Sequence, residues 1–133
     1  MKIRPSPWIL LAGDLLCLAA FVLFGLGTHD VFAGTNALQR FLINAGPMAL
    51  VWTVAAGALG AFRFAAPTPM RTEWARTLTA WLVAAPLALL LRAQLLGAAT
   101  LVIIFVLVTL GVGGSLLLLW RTVYAWLALR TAA

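Results

Sequence analysis

The chain is predicted to be all-α, an integral membrane four-helix bundle with both termini cytoplasmic. Composition comes first: 65% of the 133 residues are hydrophobic and only 9% charged, where a soluble domain carries about 25% charged residues. Mean hydropathy is +1.10, and so little polar surface could not keep a globule in water. Second, the apolar residues fall into four runs long enough to span a bilayer, which takes about 20 residues each. Third, the cations are divided unequally between the ends of those runs.

The runs lie near 8–27, 41–62, 74–91 and 98–120, within a single transmembrane domain over 1–133. Ser6-Pro7 offers a cap and a first-turn proline for the first helix. Lys2 and Arg4 resemble the basic start of a secretory signal, but Asp14 interrupts the apolar region and the run continues past a usual cleavage point. Leu16 before Cys17 likewise spoils a lipoprotein cleavage site, so the segment is expected to be retained helix. The second run ends at "RFAAPTPMR", where Pro67 and Pro69 mark a linker. The third connection, "RAQLLGAAT", is short and implies a tight antiparallel hairpin. Residues 121–133 are expected to form a juxtamembrane extension.

Lys2, Arg4, Arg63, Arg71, Arg76, Arg121 and Arg130 border one end of the runs, and Arg40 and Arg92 the other. Cations in short loops favour the cytoplasm, which places both termini inside. Trp8, Trp74, Trp120 and Trp126 gather near the same boundary, where indoles anchor helices among headgroups. The net charge of +6 is explained by this topology, because the cations stand singly between apolar runs with no basic stripe for a nucleic acid. One cysteine excludes an intramolecular disulfide.

With one His, one Cys and three acids, no metal cluster and no nucleophile–base–acid set is visible, so neither a cofactor nor an enzymatic activity is expected. "GVGGS" at 111–115 lacks the strand–turn–helix setting of a phosphate loop and is read as close helix packing. Ala56, Gly57, Gly60 and Ala61 on the second run, and Gly111, Gly113 and Gly114 on the fourth, suit either packing within the subunit or a homo-oligomer seam. Pro47 and Pro86 are expected to kink the second and third helices. Kinks there would splay a candidate polar group made of His29, Asp30, Arg40, Asn44, Arg92 and Gln94; the simpler alternative is headgroup contact by loop-end residues. His29 is a group able to respond to pH.

Asp14 is the sharpest anomaly. It lies about 9 Å along the first helix from Trp8, an intermediate depth. An unpaired acid there costs somewhat less than the about 2.5–3.5 kcal/mol of mid-span, but still enough to favour a partner or a proton. Arg121 is the candidate partner for an intramembrane ion pair. Side chains lean toward a helix's N-terminus, so on antiparallel helices these two lean toward each other across an axial gap of about 10 Å. Arg63 and Ser115 are alternatives.

The order and spacing of "GDLLCLAAFVLFG", His29, "NAGP", "LLLRA" and "LLLLWR" resemble the membrane-protein family called domain of unknown function 3054. The resemblance spans residues 13 to 121, omits the linker 63–73, and implies a small polytopic prokaryotic membrane protein with weight on Asp14, Arg92 and Arg121. It assigns them no chemistry. The expected function is a non-catalytic accessory, interaction or scaffold subunit, multi-pass in the plasma membrane of a prokaryote. Expected partners are membrane lipid and a second copy or larger membrane complex. The alternative is a small oligomeric transporter or channel with Asp14 as proton- or ion-coupling residue. Four-helix multidrug transporters with an acid in the first helix are a tempting analogy, but a fixed orientation argues against their dual-topology pairing.

Overall fold

The computed structural model describes residues 6–28, 36–63, 69–97 and 100–132. Four helices run up and down: α1 (Pro7–Thr28), α2 (Ala37–Ala58), α3 (Met70–Leu95) and α4. The last joins α-helical Ile103–Val108, a π-helical turn Thr109–Gly113 and α-helical Gly114–Ala132 without interruption. All four are long and apolar enough to cross a membrane. The end where α1 begins and α4 finishes is called proximal below, and the opposite end distal.

The helices outrun the apolar stretches on which they were predicted. α3 starts at Met70, with the polar turn Arg71-Thr72-Glu73 already helical, and continues through Arg92 and Gln94 to Leu95. At 1.5 Å per residue its 26 residues reach about 39 Å, beyond a hydrocarbon core of about 30 Å. The expected extension 121–133 is helical to Ala132, since no Gly or Pro follows Gly114 to stop α4. In contrast, α2 ends four residues before the expected 62. Gly60 takes a left-handed φ of 75°, which costs a residue without Cβ little. Gly60 N–H then bonds the Gly57 carbonyl and Ala61 N–H the Ala56 carbonyl at 2.8 Å, a Schellman ending. Gly97, at φ 64°, closes α3 in a similar way.

Pairwise contacts close the bundle in the ring α1–α2–α3–α4–α1. Its centre is aromatic: Trp52 and Trp81 are fully buried and meet edge to face, centroids 5.9 Å apart. Two glycines make room for them. A Cβ at Gly113 would stand 2.5 Å from Trp81, and one at Gly114 3.0 Å. Within the π-helical turn the Leu110 carbonyl accepts from both Gly114 N–H and Trp81 Nε1, the latter at 3.0 Å. The widened turn thus ties α4 to α3 at mid-bundle. Thr109 is buried there, its hydroxyl without a hydrogen-bond partner among the described residues.

Much of the small-residue pattern therefore serves packing inside the subunit: Ala56, Ala61, Gly113 and Gly114 are buried. Gly57 and Gly111 face outward, with nothing near a would-be Cβ. Pro47 and Pro86 both lie inside helices that continue past them. The outer surface is apolar, with Leu16, Phe24, Ile103 and Ile104 all more than 70% exposed. A contiguous surface of this kind suits lipid rather than water. Trp8, Trp74 and Trp126 are exposed at the proximal end as expected of interfacial rings. Trp120 instead turns inward, lies flush on Gly13 and donates to the Leu10 carbonyl at 3.2 Å.

Candidate functional site

Toward the proximal end the bundle interior holds a compact polar cluster. Asp14, on the inward stripe of α1 with Leu10 and Leu18, is wholly buried. Arg121, on the facing stripe of α4 with Leu117 and Tyr124, is 2% exposed. The guanidinium presents its fork to the carboxylate. Arg121 Nη2 lies 2.5 Å from Asp14 Oδ2, and Nε donates to Oδ1 at 3.1 Å. Bidentate pairing of this kind combines charge with two directed hydrogen bonds. Trp52 Nε1, from α2, adds a third donor to Oδ2 at 3.1 Å. Both carboxylate oxygens are therefore engaged, from two helices.

The remaining faces of the guanidinium are also occupied. Arg121 Nη1 donates to the Ala61 carbonyl, a group exposed to it by the Schellman turn that ends α2. The Phe62 ring lies 5.3 Å from the guanidinium carbon, within cation–π range. One arginine thus joins α4 to α1 and to the end of α2. The neighbouring bonds reinforce the seam: Ser6 N–H to Tyr124 Oη at 2.9 Å, and Trp74 Nε1 to Thr122 Oγ1 at 3.0 Å.

The alternatives to Arg121 lie elsewhere. Arg63 is exposed, and its carbonyl accepts from Arg76 Nη1 at 2.9 Å. Ser115 is exposed and bonds the Gly111 carbonyl one turn back. Arg121, expected among the loop cations, is instead buried in the bundle interior toward its proximal end. The proximal boundary cations among the described residues are therefore Arg63, Arg71, Arg76 and Arg130, with Arg130 stacked 3.7 Å from Trp126.

Glu73 was not foreseen, because the apolar-run boundary left it in the linker. It sits in the first turn of α3, 2% exposed, with Oε1 3.5 Å from Arg76 Nη1 but accepting no hydrogen bond among the described residues. Trp52 as a carboxylate donor was likewise missed, as was the Ala61 carbonyl.

The polar group predicted at the distal end is brought together only in part. Arg92 Nε donates to Asn44 Oδ1, and Asn44 Nδ2 donates to the Arg40 carbonyl at 2.6 Å. The Phe105 ring of α4 lies 5.0 Å from the Arg92 guanidinium carbon. Arg40 contributes its backbone while its side chain is exposed, and Gln94 is exposed at the end of α3. His29 and Asp30 lie outside the described residues.

No curated protein and no solved structure matches the chain. Residues 11–124 match the family described as "Protein of unknown function (DUF3054)", a stretch that holds Asp14, Arg92 and Arg121 together with the whole of α2 and α3 and most of α1 and α4. From its sequence across that stretch, the chain belongs to the DUF3054 family.

Proposed function

We propose that the protein is a non-catalytic accessory or scaffold subunit of the plasma membrane of a prokaryote, with its proximal end in the cytoplasm. The observation that carries this is the commitment of Asp14. Both its oxygens accept bonds from Arg121 and Trp52, and neither residue reaches solvent. A carboxylate that couples proton or ion movement must exchange its partner during the cycle. One held by a bidentate arginine and an indole is suited to fixing helices in place. Arg63, Arg71, Arg76 and Arg130 at the proximal boundary, against Arg40 and Arg92 at the distal one, support the orientation.

Such a subunit acts through its surface, here an apolar one that meets lipid, a second copy or a larger membrane complex. Gly57 and Gly111, which stay on the outer surface, are where a second copy could approach closely. The deciding experiment is solute and proton flux in proteoliposomes, with and without a proton gradient, for the wild type and Asp14→Asn. The expected result is no gradient-dependent flux in either. Flux that depends on the gradient and disappears in an intact Asp14→Asn bundle would overturn the scaffold in favour of a transporter.

A further inference from the structure

The distal arginines pose a question of charge that the proximal ones do not. The chain has three acids. Asp14 pairs with Arg121, and Glu73 lies against Arg76. Asp30 is the one acid left for two distal cations, Arg40 and Arg92. Even a full pairing with Asp30 leaves that end with an unmatched positive charge. Among the described residues, no carboxylate makes a salt bridge with either arginine.

Arg92 is also held in an orientation that a simple surface cation does not need. Its position in the last turn of α3 suits the negative end of the helix dipole, which accounts for a cation there but not for its fixed fork. Asn44 donates its amide to the Arg40 carbonyl and thereby turns its oxygen toward Arg92. Arg92 Nε answers that oxygen, and the Phe105 ring flanks the guanidinium. Three helices thus orient one guanidinium through Nε, a group with four further N–H donors on its two Nη atoms. The exposed Arg40 rises one helical turn farther toward the distal boundary.

The geometry points to a binding site for the phosphate of an anionic phospholipid headgroup, formed by Arg92 and Arg40 between α2, α3 and α4. A planar guanidinium matches phosphate oxygens two at a time. This is the chemistry by which basic pockets between membrane helices bind headgroups on the cytoplasmic side, and it applies equally to a phosphate in the opposite leaflet. The depth agrees: Arg92 is partly buried near a helix end, where a headgroup meets the first acyl carbons. Phe105 and the exposed Ile103 and Ile104 at the start of α4 offer an apolar wall for the chains.

The test is native mass spectrometry of protein released from nanodiscs of equal phosphatidylglycerol and phosphatidylcholine, counting the lipids retained. The wild type is expected to retain phosphatidylglycerol preferentially. Arg92→Gln and Arg40→Gln should each reduce that preference about fivefold, the factor matching about 1 kcal/mol per arginine near an anionic surface. Arg40, exposed and without a side-chain hydrogen bond or salt bridge among the described residues, gives the reading even if Arg92→Gln does not fold. Equal retention of the two lipids by the wild type, or an unchanged preference in Arg40→Gln and in a folded Arg92→Gln, overturns the site. Two arms separate other sources of charge. A preference that emerges only in Asp30→Asn means that Asp30 fills the site, which also overturns it. Thermal protection of detergent-solubilised protein by inorganic phosphate, without lipid preference, transfers the site to a soluble anion and overturns the headgroup.

Discussion

Arg121 and Arg92 each anchor a polar cluster among the described residues, and their surroundings differ in one respect that governs the rest. Arg121 faces a carboxylate and is almost completely buried. Arg92 faces an amide and a phenyl ring and remains partly exposed. An amide oxygen satisfies a donor but cancels no charge, so burial as deep as that of Arg121 would leave a full cation in a medium of low dielectric. The proximal cluster is closed and self-neutralising, whereas the distal one keeps its charge at the boundary. This contrast is why the first reads as a structural clasp and the second as a place for an anion from outside the chain.

The largest expected effect breaks the closed side of the comparison. Asp14→Asn or Arg121→Gln strands its partner inside the bundle, and breaking a buried pair from one side costs about 3–5 kcal/mol. Thermal unfolding in mild detergent should show each single variant strongly destabilised, and the double variant should recover part of the loss. Zero coupling in that double-mutant cycle would mean that the two groups do not depend on each other, against the geometry.

The four spans were readable from apolar runs alone, because a bilayer imposes a minimum length that composition reveals directly. Helix ends were not, because an apolar window measures membrane thickness rather than helix. Arg71 to Glu73, Gln94 and 121–132 are polar or mixed yet helical, and Glu73 was lost to the linker on that account. Asp14 announced itself as an acid among apolar residues, and antiparallel lean selected Arg121. The other members of the cluster gave no comparable signal. Trp52 reads as one more apolar side chain until its indole N–H is placed, and the Ala61 carbonyl becomes available only because Gly60 turns the chain. At the distal end, the pairing of Asn44 with Arg92 depends on the register of α2 against α3, which their sequence positions do not state.

A second prediction sharpens what closure demands of packing. Gly13 precedes Asp14, and a Cβ there would come within 1.9 Å of the Trp120 ring. Trp120 cannot simply swing away, because its Nε1 is bonded to the Leu10 carbonyl and its ring packs 5.8 Å from Tyr124. Gly13→Ala should therefore lower stability by about 1–3 kcal/mol, the usual penalty for overpacking. Gly57→Ala on the outer surface, where nothing within the subunit lies within 4 Å, is the matched control and should be neutral or slightly stabilising in the detergent-solubilised monomer, since Ala favours helix. Equal losses at both positions in a thermal melt would detach the effect from Trp120.

The smallest effect belongs to the open side. Asn44→Ala removes the acceptor for Arg92 Nε and the link to the Arg40 carbonyl. Interhelical hydrogen bonds inside membrane proteins contribute about 0.6 kcal/mol on average, and Arg92, partly exposed, can turn to water or headgroups for replacement acceptors. The bundle should therefore lose little stability, far less than on breaking the clasp, while Arg92 loses the contact that fixes its orientation. The consequence belongs to recognition rather than folding: preference for phosphatidylglycerol should fall in Asn44→Ala, but less than in Arg92→Gln, because the charge remains. A stability loss in Asn44→Ala comparable to that of Asp14→Asn would mean that the distal cluster is a second clasp. Its exposure to the boundary would then be incidental, and the contrast between the two arginines would reduce to depth alone.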